Sequence, residues 1–435
     1  MRVVVAHNRY KYAGGEDTAM RAEVEMLREH GHAVELLEAD NRTIVGTVAK
    51  IAAAGRAFHS FSASERMREL VRRFRPDVVH VHNWFPLLSP GIIGAARAGW
   101  GERQMRGSLR SALKRFGRDD ASHFVLGRDD GRLSEAAEAS VEMPAAREGV
   151  PVVQTLHNYR MFCANGVMYR DGKICEECAG KMLPTGAVQH ACYAGSRVGS
   201  AVVTAAFAYH RLARTWDGVA KFIAVSEVQR ELLVHGGMRA EQIVVKPNFV
   251  KDSGGPGDGK GGYALFVGRL IPEKGIRTVL EAWASGAVRA PLKIMGDGPL
   301  ADEVRQRATR LPRVQYLGQQ TNCEVRAAMA GAKYLIFASE WYEPFALTIV
   351  EALAQGTPVL AADLASVHEL VHVGKTGMRF RVGDAADLAA KAATLTADEA
   401  AYRDMRRRCR ALYEERYTDG ANYRMLMGIY RGVCG

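Results

Sequence analysis

No part of this chain approaches the roughly 20 apolar residues that a membrane-crossing helix needs. The longest apolar run, Ser200 to Ala208, is less than half of that. Signal-peptide character is also missing, because the N-terminus enters a strand pattern directly in Arg2-Val3-Val4-Val5-Ala6-His7. The expected location is therefore the cytoplasm, at most against the inner face of the cell membrane. Basic repeats and aromatic-basic stripes are absent, so the net charge of +11 is not assigned to nucleic acid. An anionic lipid surface or a phosphorylated substrate remains as the acidic partner. No GxGxxG follows the first strand, which disfavours a dinucleotide cofactor. No DxD metal motif occurs. Cysteine is sparse, seven in 435 residues, and in a cytosolic setting it argues for thiols or a metal instead of disulfides.

A chain of 435 residues exceeds one ordinary core, and two domains are expected. Strands alternate with helical patterns in both halves, the signature of α/β folds with parallel sheets. In the first half, strands are read at 3–6, 32–37, 77–82, 150–157, 221–226 and 243–246. A helix is read from Thr18 to His30, and another from Glu227 to His235 behind the N-cap Ser226. Residues 251–262 (KDSGGPGDGKGG) are Gly-rich and aperiodic, and form the linker. The second half restarts with strands at 263–267, 292–295, 314–317, 334–337 and 358–361. Residues 1–250 are thus one domain and 263–415 the second. Residues 416–435 belong to a final helical stretch, read over 398–433, that packs back on the first domain. Residues 100–147 lack strand pattern, are basic at their start, and are read as an insertion facing a membrane surface or acceptor, or as a solvated excursion.

Several short motifs carry chemistry. Gly14-Gly15 sits between the first strand and first helix, where glycine permits close backbone approach and helix amides favour phosphate. Arg269 and Lys274 follow Gly268 at a strand's C-terminal end, where open parallel sheets bind ligands. A guanidinium fork and an ammonium there suit a leaving diphosphate. Glu343 and Glu351 bracket the start of a helix whose first amides, near Phe345, Ala346 and Leu347, face such an anion. Carboxylates accept paired hydroxyl hydrogen bonds, as sugars and riboses offer. Gly296 closes the strand 292–295 and leaves room for a flat base. His157, like His80 and His82, ends a strand. Cys163, Cys175, Cys178 and Cys192 crowd one loop-rich segment, 163–192, with a CxxC at its centre; a structural zinc, packed thiols or a redox pair would each account for them.

Together these motifs resemble the retaining glycosyltransferases of family 4, which have the GT-B architecture. In the second half the matching pieces are VGRLIPEKG at 267–275, IMGDGP at 294–299 and EPFALTIVEALAQGTPV at 343–359. HNRYKYAGGED at 7–17, DVVHVHNWFPLLSP at 77–90 and TLHNYRMFCANG at 155–166 resemble members from bacterial cell-surface polysaccharide pathways. The resemblance implies two Rossmann-like domains with parallel sheets facing across a cleft. It implies hexosyl transfer, with retention, from a nucleotide-sugar to an acceptor hydroxyl, the acceptor being a saccharide on a lipid carrier. With no DxD motif and with Arg269 and Lys274 able to stand in for a divalent ion, the transfer is expected to be metal-independent. It implies no catalytic cofactor. Arg269 and Lys274 would hold the diphosphate, Glu343 the transferred sugar and Glu351 the ribose. His157 would lie beside the transferred sugar, and Gly15 beside the phosphate. Ala346 stands where the family commonly has Gly, and Asn158 where many members have Asp. The alternatives are a GT-B epimerase or hydrolase, and a non-catalytic carbohydrate- or nucleic-acid-binding protein.

Overall fold

The computed structural model describes residues 1–10, 14–100, 149–252 and 254–435. The insertion read at 100–147 therefore lies, apart from Trp100, outside the described residues, as do Tyr12 and Ala13 of the Gly-rich loop. The first half contributes β1 (Arg2–Arg9), β2 (Ala33–Asp40), β3 (Val78–Asn83), β4 (Val152–Leu156), a small hairpin of β5 (Tyr169–Arg170) with β6 (Lys173–Ile174), β7 (Lys221–Ala224) and β8 (Ile243–Val245). The second contributes β9 (Ala264–Val267), β10 (Leu292–Met295), β11 (Val314–Gly318), β12 (Tyr334–Phe337), β13 (Val359–Ala362) and β14 (Gly377–Phe380).

Two parallel six-stranded sheets result, ordered β2-β1-β3-β4-β7-β8 and β11-β10-β9-β12-β13-β14. The second sheet's inner strands β9, β12 and β13 are continuous apolar runs, as a parallel sheet covered on both faces requires. Val4, Ala6, Val79 and Val81 enter one core layer, while Val3, Val5, Val78 and Val153 enter the opposite one. Each sheet reverses its strand order next to its first strand, between β1 and β3 and between β9 and β12. Loops diverge there and leave a crevice at the C-terminal strand ends, the place where open α/β sheets take ligands.

Three local readings need correction. The first helix runs Gly15–Glu29 instead of starting at Thr18, because Asp17 accepts a hydrogen bond from the Gly14 amide at 3.1 Å and closes the first turn early. The long helical stretch breaks into Glu399–Arg416 and Asp419–Cys434, where the Thr418 hydroxyl caps Ala421 at 3.2 Å. The edge strand β14 was missed, since its four residues carry no clear alternation.

The final helix, Asp419–Cys434, places Leu426, Met427 and Tyr430 in the core layer of Val3, Val5 and Met20. The two halves also meet beside the crevice, where Ser226 donates to the Pro344 carbonyl at 2.8 Å and Tyr169 to Glu340 at 3.2 Å.

Candidate functional site

A cavity of about 430 Å³ opens where the two crevices face each other. Gly14, Gly15 and His157 line it from the first sheet's side; Gly268, Arg269, Lys274, Glu343, Phe345 and Leu347 line it from the second. Residues separated by more than 300 positions in sequence thus share one wall-to-wall space. Gly296 and Glu351 are not among its lining residues, nor is Ala346, which is buried at the N-cap of the helix Leu347–Ala354. Gly296 instead serves backbone packing: a Cβ there would stand 1.9 Å from the Gly268 carbonyl oxygen. Glu351 is half-buried, and burial pushes its carboxyl up to about 7.

Lys274 is delivered by a single 3₁₀ turn, Pro272–Lys274, which ends at Gly275 in the left-handed region (φ 66°). A side chain at Gly275 would meet the Ala338 carbonyl at 2.0 Å, so that turn requires glycine twice over. Lys274 Nζ donates to both oxygens of Glu343, at 2.6 and 2.7 Å, and Ser339 Oγ adds a bond at 2.9 Å. The cation and the carboxylate expected on different parts of one donor therefore hold each other. A ligand carrying both a diphosphate and hydroxyls can separate them and satisfy each.

Behind His157 runs a chain of buried polar groups. His157 Nε2 lies 3.0 Å from His82 Nδ1, and His82 Nε2 lies 3.1 Å from Glu23 Oε1. Glu23 Oε2 accepts from Lys246 Nζ at 2.9 Å, and Glu23 Oε1 is also 3.0 Å from His80 Nδ1. The final helix closes this network: Asn422 accepts from Lys246 at 3.0 Å, and the Tyr430 hydroxyl lies 2.8 Å from His80. Burial alone would raise the Glu23 carboxyl, but Lys246, His80 and His82 hold it well below the usual range. Burial pushes His82 down to about 4, with His80 adding to it, and burial then His82 push His157 well below its ordinary value. Glu23, His80 and His82 bring three ligand-type atoms within 4.8 Å of one another, the one such group among the described residues. The Lys246 ammonium already supplies a positive charge to Glu23.

Sequence reasoning missed Glu16, Glu23 and Lys246. Glu16 lines the cavity; its carboxyl is pushed up to about 8 by burial. Its Oε2 accepts from Asn158 Nδ2 at 3.4 Å, a bond that an aspartate at 158 could not donate. Only its place after Gly14-Gly15 was a sequence signal. Glu23 sits on the buried face of the first helix among apolar neighbours, at heptad spacing from Glu16, which the pattern alone could have flagged.

Cys163, Cys175, Cys178 and Cys192 line one cavity of about 10 Å³ and form no disulfide. Burial, with the neighbouring thiols, pushes Cys178 up to about 11. No three of these sulfurs lie within 4.8 Å of one another. They face a common space without metal-ligand spacing.

Comparison with known proteins agrees with this geometry. The model of "Glycosyltransferase Family 4" matches residues 13–101, and that of "Glycosyl transferases group 1" matches residues 261–398. A GDP-mannose-dependent alpha-mannosyltransferase of Mycobacterium tuberculosis is 36% identical over 119 residues, covering 27% of this chain and 30% of that relative. The O-antigen chain mannosyltransferase B of Escherichia coli is 33% identical over 118 residues, covering 25% and 31%. The matched stretches thus span about a third of those relatives' length. Anabaena Alr3699/HepE, solved in complex with UDP, superposes with a TM-score of 0.61 at 16% identity, covering 99% of this chain and 100% of that one. At that identity the likeness speaks for the fold alone.

Proposed function

This chain belongs to the family 4 glycosyltransferases of GT-B architecture, and on that premise we propose that it transfers a glycosyl unit from a nucleotide-sugar to an acceptor hydroxyl. One observation carries the reading: Arg269 and Lys274 share a cavity with Glu343, His157 and the Gly14-Gly15 turn. As the bond to the leaving diphosphate breaks, negative charge grows on its oxygens. Arg269 and Lys274 stabilise that charge, and the stabilisation is larger in the transition state than in the ground state. Glu343, released from Lys274, accepts hydroxyls of the sugar. We assign Glu351 to support of the helix and to the ribose side. Arg269 and Lys274 on the diphosphate make a divalent ion unnecessary, so transfer is expected to continue in excess chelator; retention is taken from the family resemblance.

The test is binding and product analysis together. Purified protein is screened by thermal shift against UDP-, GDP-, ADP- and dTDP-sugars, where a ligand at a hundredfold excess over Kd stabilises by about 2.7 kcal/mol. Products are then analysed with and without saccharide acceptor. An altered sugar without acceptor would make the protein an epimerase, and no nucleotide-sugar binding would remove the reading.

The acceptor we propose is a saccharide on a lipid diphosphate, met at an anionic membrane surface on the cytoplasmic side. Residues 41–64 and 178–216 contain no Asp or Glu, and the helices within them, Gly46–Phe58 and Arg197–Leu212, pack together. In and next to these helices Phe61, Val198 and Leu212 are exposed, as are Arg56, Arg197 and Arg214. Apolar side chains rimmed by cations fit a negatively charged bilayer. No helix among the described residues is long and apolar enough to cross a membrane. Co-sedimentation with phosphatidylglycerol vesicles, lost in Leu212→Asp, is the expected result; equal recovery with phosphatidylcholine alone would count against it. For Cys163, Cys175, Cys178 and Cys192, a structural zinc is retained as a proposal, with metal analysis as its test.

A further inference from the structure

The polar chain behind His157 has a direction, which follows from valence. Glu23 is ionised, and an ionised carboxylate only accepts hydrogen bonds. The hydrogen between His82 and Glu23 therefore belongs to His82 Nε2, across 3.1 Å. Because His82 is neutral, its Nδ1 is bare and can only accept. The hydrogen between the two rings, across 3.0 Å, then belongs to His157 Nε2. A neutral His157 with its proton on Nε2 has a bare Nδ1; among the described residues that atom makes no hydrogen bond and is not fully buried, and His157 lines the cavity.

We propose that Glu23 and His82 are positioning residues of the site: through two successive hydrogen bonds they fix His157 in the Nε2-protonated tautomer, so that it presents an acceptor, and no charge, to a hydroxyl of the transferred sugar. This rests on the glycosyl-transfer reading above and deepens it. The stacked rings of His82 and His157, 5.3 Å apart and 15° from parallel, fix the plane of His157 as well as its proton. Lys246 holds Glu23 in its acceptor role from the opposite oxygen at 2.9 Å. His80 meets Thr155 Oγ1 at 2.7 Å, Tyr430 at 2.8 Å and Glu23 Oε1 at 3.0 Å, and makes no hydrogen bond to His157. The chain joins the first helix, β3, β4's end and the final helix, so the tautomer at the cavity is set by side chains, Glu23 and His82, that do not line it. A second-layer carboxylate orienting a histidine in this way is a general device.

The experiment has two arms. Long-range nitrogen–proton NMR on the full chain with labelled histidine, assigned by His157→Gln, reads the tautomer without any ligand. The Nε2-protonated neutral form at pH 7 is the expected result. An Nδ1-protonated ring, an imidazolium, or a divalent metal bound at Glu23, His80 and His82 would overturn the proposal. In the second arm, His82→Asn and Glu23→Gln are compared with wild type for UDP and for UDP-glucose. Affinity for UDP should stay within about twofold, while affinity for UDP-glucose falls roughly fivefold to tenfold, the range of one lost hydrogen bond. Tyr430→Phe trims the network without touching His82 and should lower the melting temperature while leaving that ratio unchanged. Equal loss for UDP and UDP-glucose, or no change in His82→Asn, would reduce the chain to a structural role. Absence of nucleotide binding by wild type would sink the glycosyl-transfer reading, and the NMR arm would still decide the tautomer.

Discussion

Two lysine–glutamate pairs flank the cavity and differ in one respect, access to water. Lys246–Glu23 spans 2.9 Å with side chains 1% and 4% exposed, and Lys274–Glu343 spans 2.6 Å with side chains 20% and 15% exposed. The first is sealed by His80, His82 and Asn422, so each charge is committed to its neighbours. The second lines the cavity, so either partner can be exchanged for a ligand group. The same two residue types therefore serve structure in one place and binding in the other. Desolvation decides which: a sealed charge cannot give up its partner without a cost of several kcal/mol, and a half-open one can.

Breaking the sealed pair should have the largest effect on folding. Lys246→Met leaves Glu23 buried and unpaired, and a loss of about 3–5 kcal/mol is expected in denaturant unfolding. Breaking the open pair should invert that pattern. Lys274→Ala is expected to lower kcat by about a hundredfold or more, in line with loss of one preorganised charge-stabilising group, while the melting temperature moves by only a few degrees. If Lys274→Ala unfolds the protein as severely as Lys246→Met, the contrast between the pairs fails.

A pH comparison sharpens the picture further. Glu16 and Glu351 both have raised carboxyls, about 8 and about 7, in each case through burial. A carboxyl that binds its proton more tightly when folded costs stability as it ionises. Stability is thus expected to fall as pH rises from the unfolded range near 4.5 to about 8. Glu16→Gln and Glu351→Gln should each flatten that fall in melting-temperature profiles between pH 5 and pH 9 (roughly the span of these titrations). A smaller effect is expected at the cysteine cavity. If zinc holds it, the protein as purified carries one equivalent of metal, and chelation lowers the melting temperature; if not, four thiols react with a thiol reagent on unfolding and no metal is found.

Much of the fold was legible in local pattern. The strands at 292–295 and 334–337 and the helix Glu227–His235 coincide with the reading from the residues, because apolar runs and a Ser N-cap are local signals. Arg269, Lys274, Glu343 and His157 were also legible, since each ends or follows a strand, and parallel sheets bring such ends to one edge. Glu16 and Lys246 were not, and for Glu23 the helix pattern marks a buried acid without naming its partners. Glu23 reaches His82 across 59 positions and Lys246 across 223, and no local pattern announces a partner so distant.

The sequence by itself settled that two parallel α/β sheets form and that two cations and a carboxylate stand at strand ends, because propensity, periodicity and turn chemistry act over a few residues. Only the tertiary structure decided which charges are sealed and which remain exchangeable, and which histidine lines the cavity. Burial and proton placement depend on what the chain brings together from far apart, and the final helix, folded back under the first sheet, supplies the last of those groups.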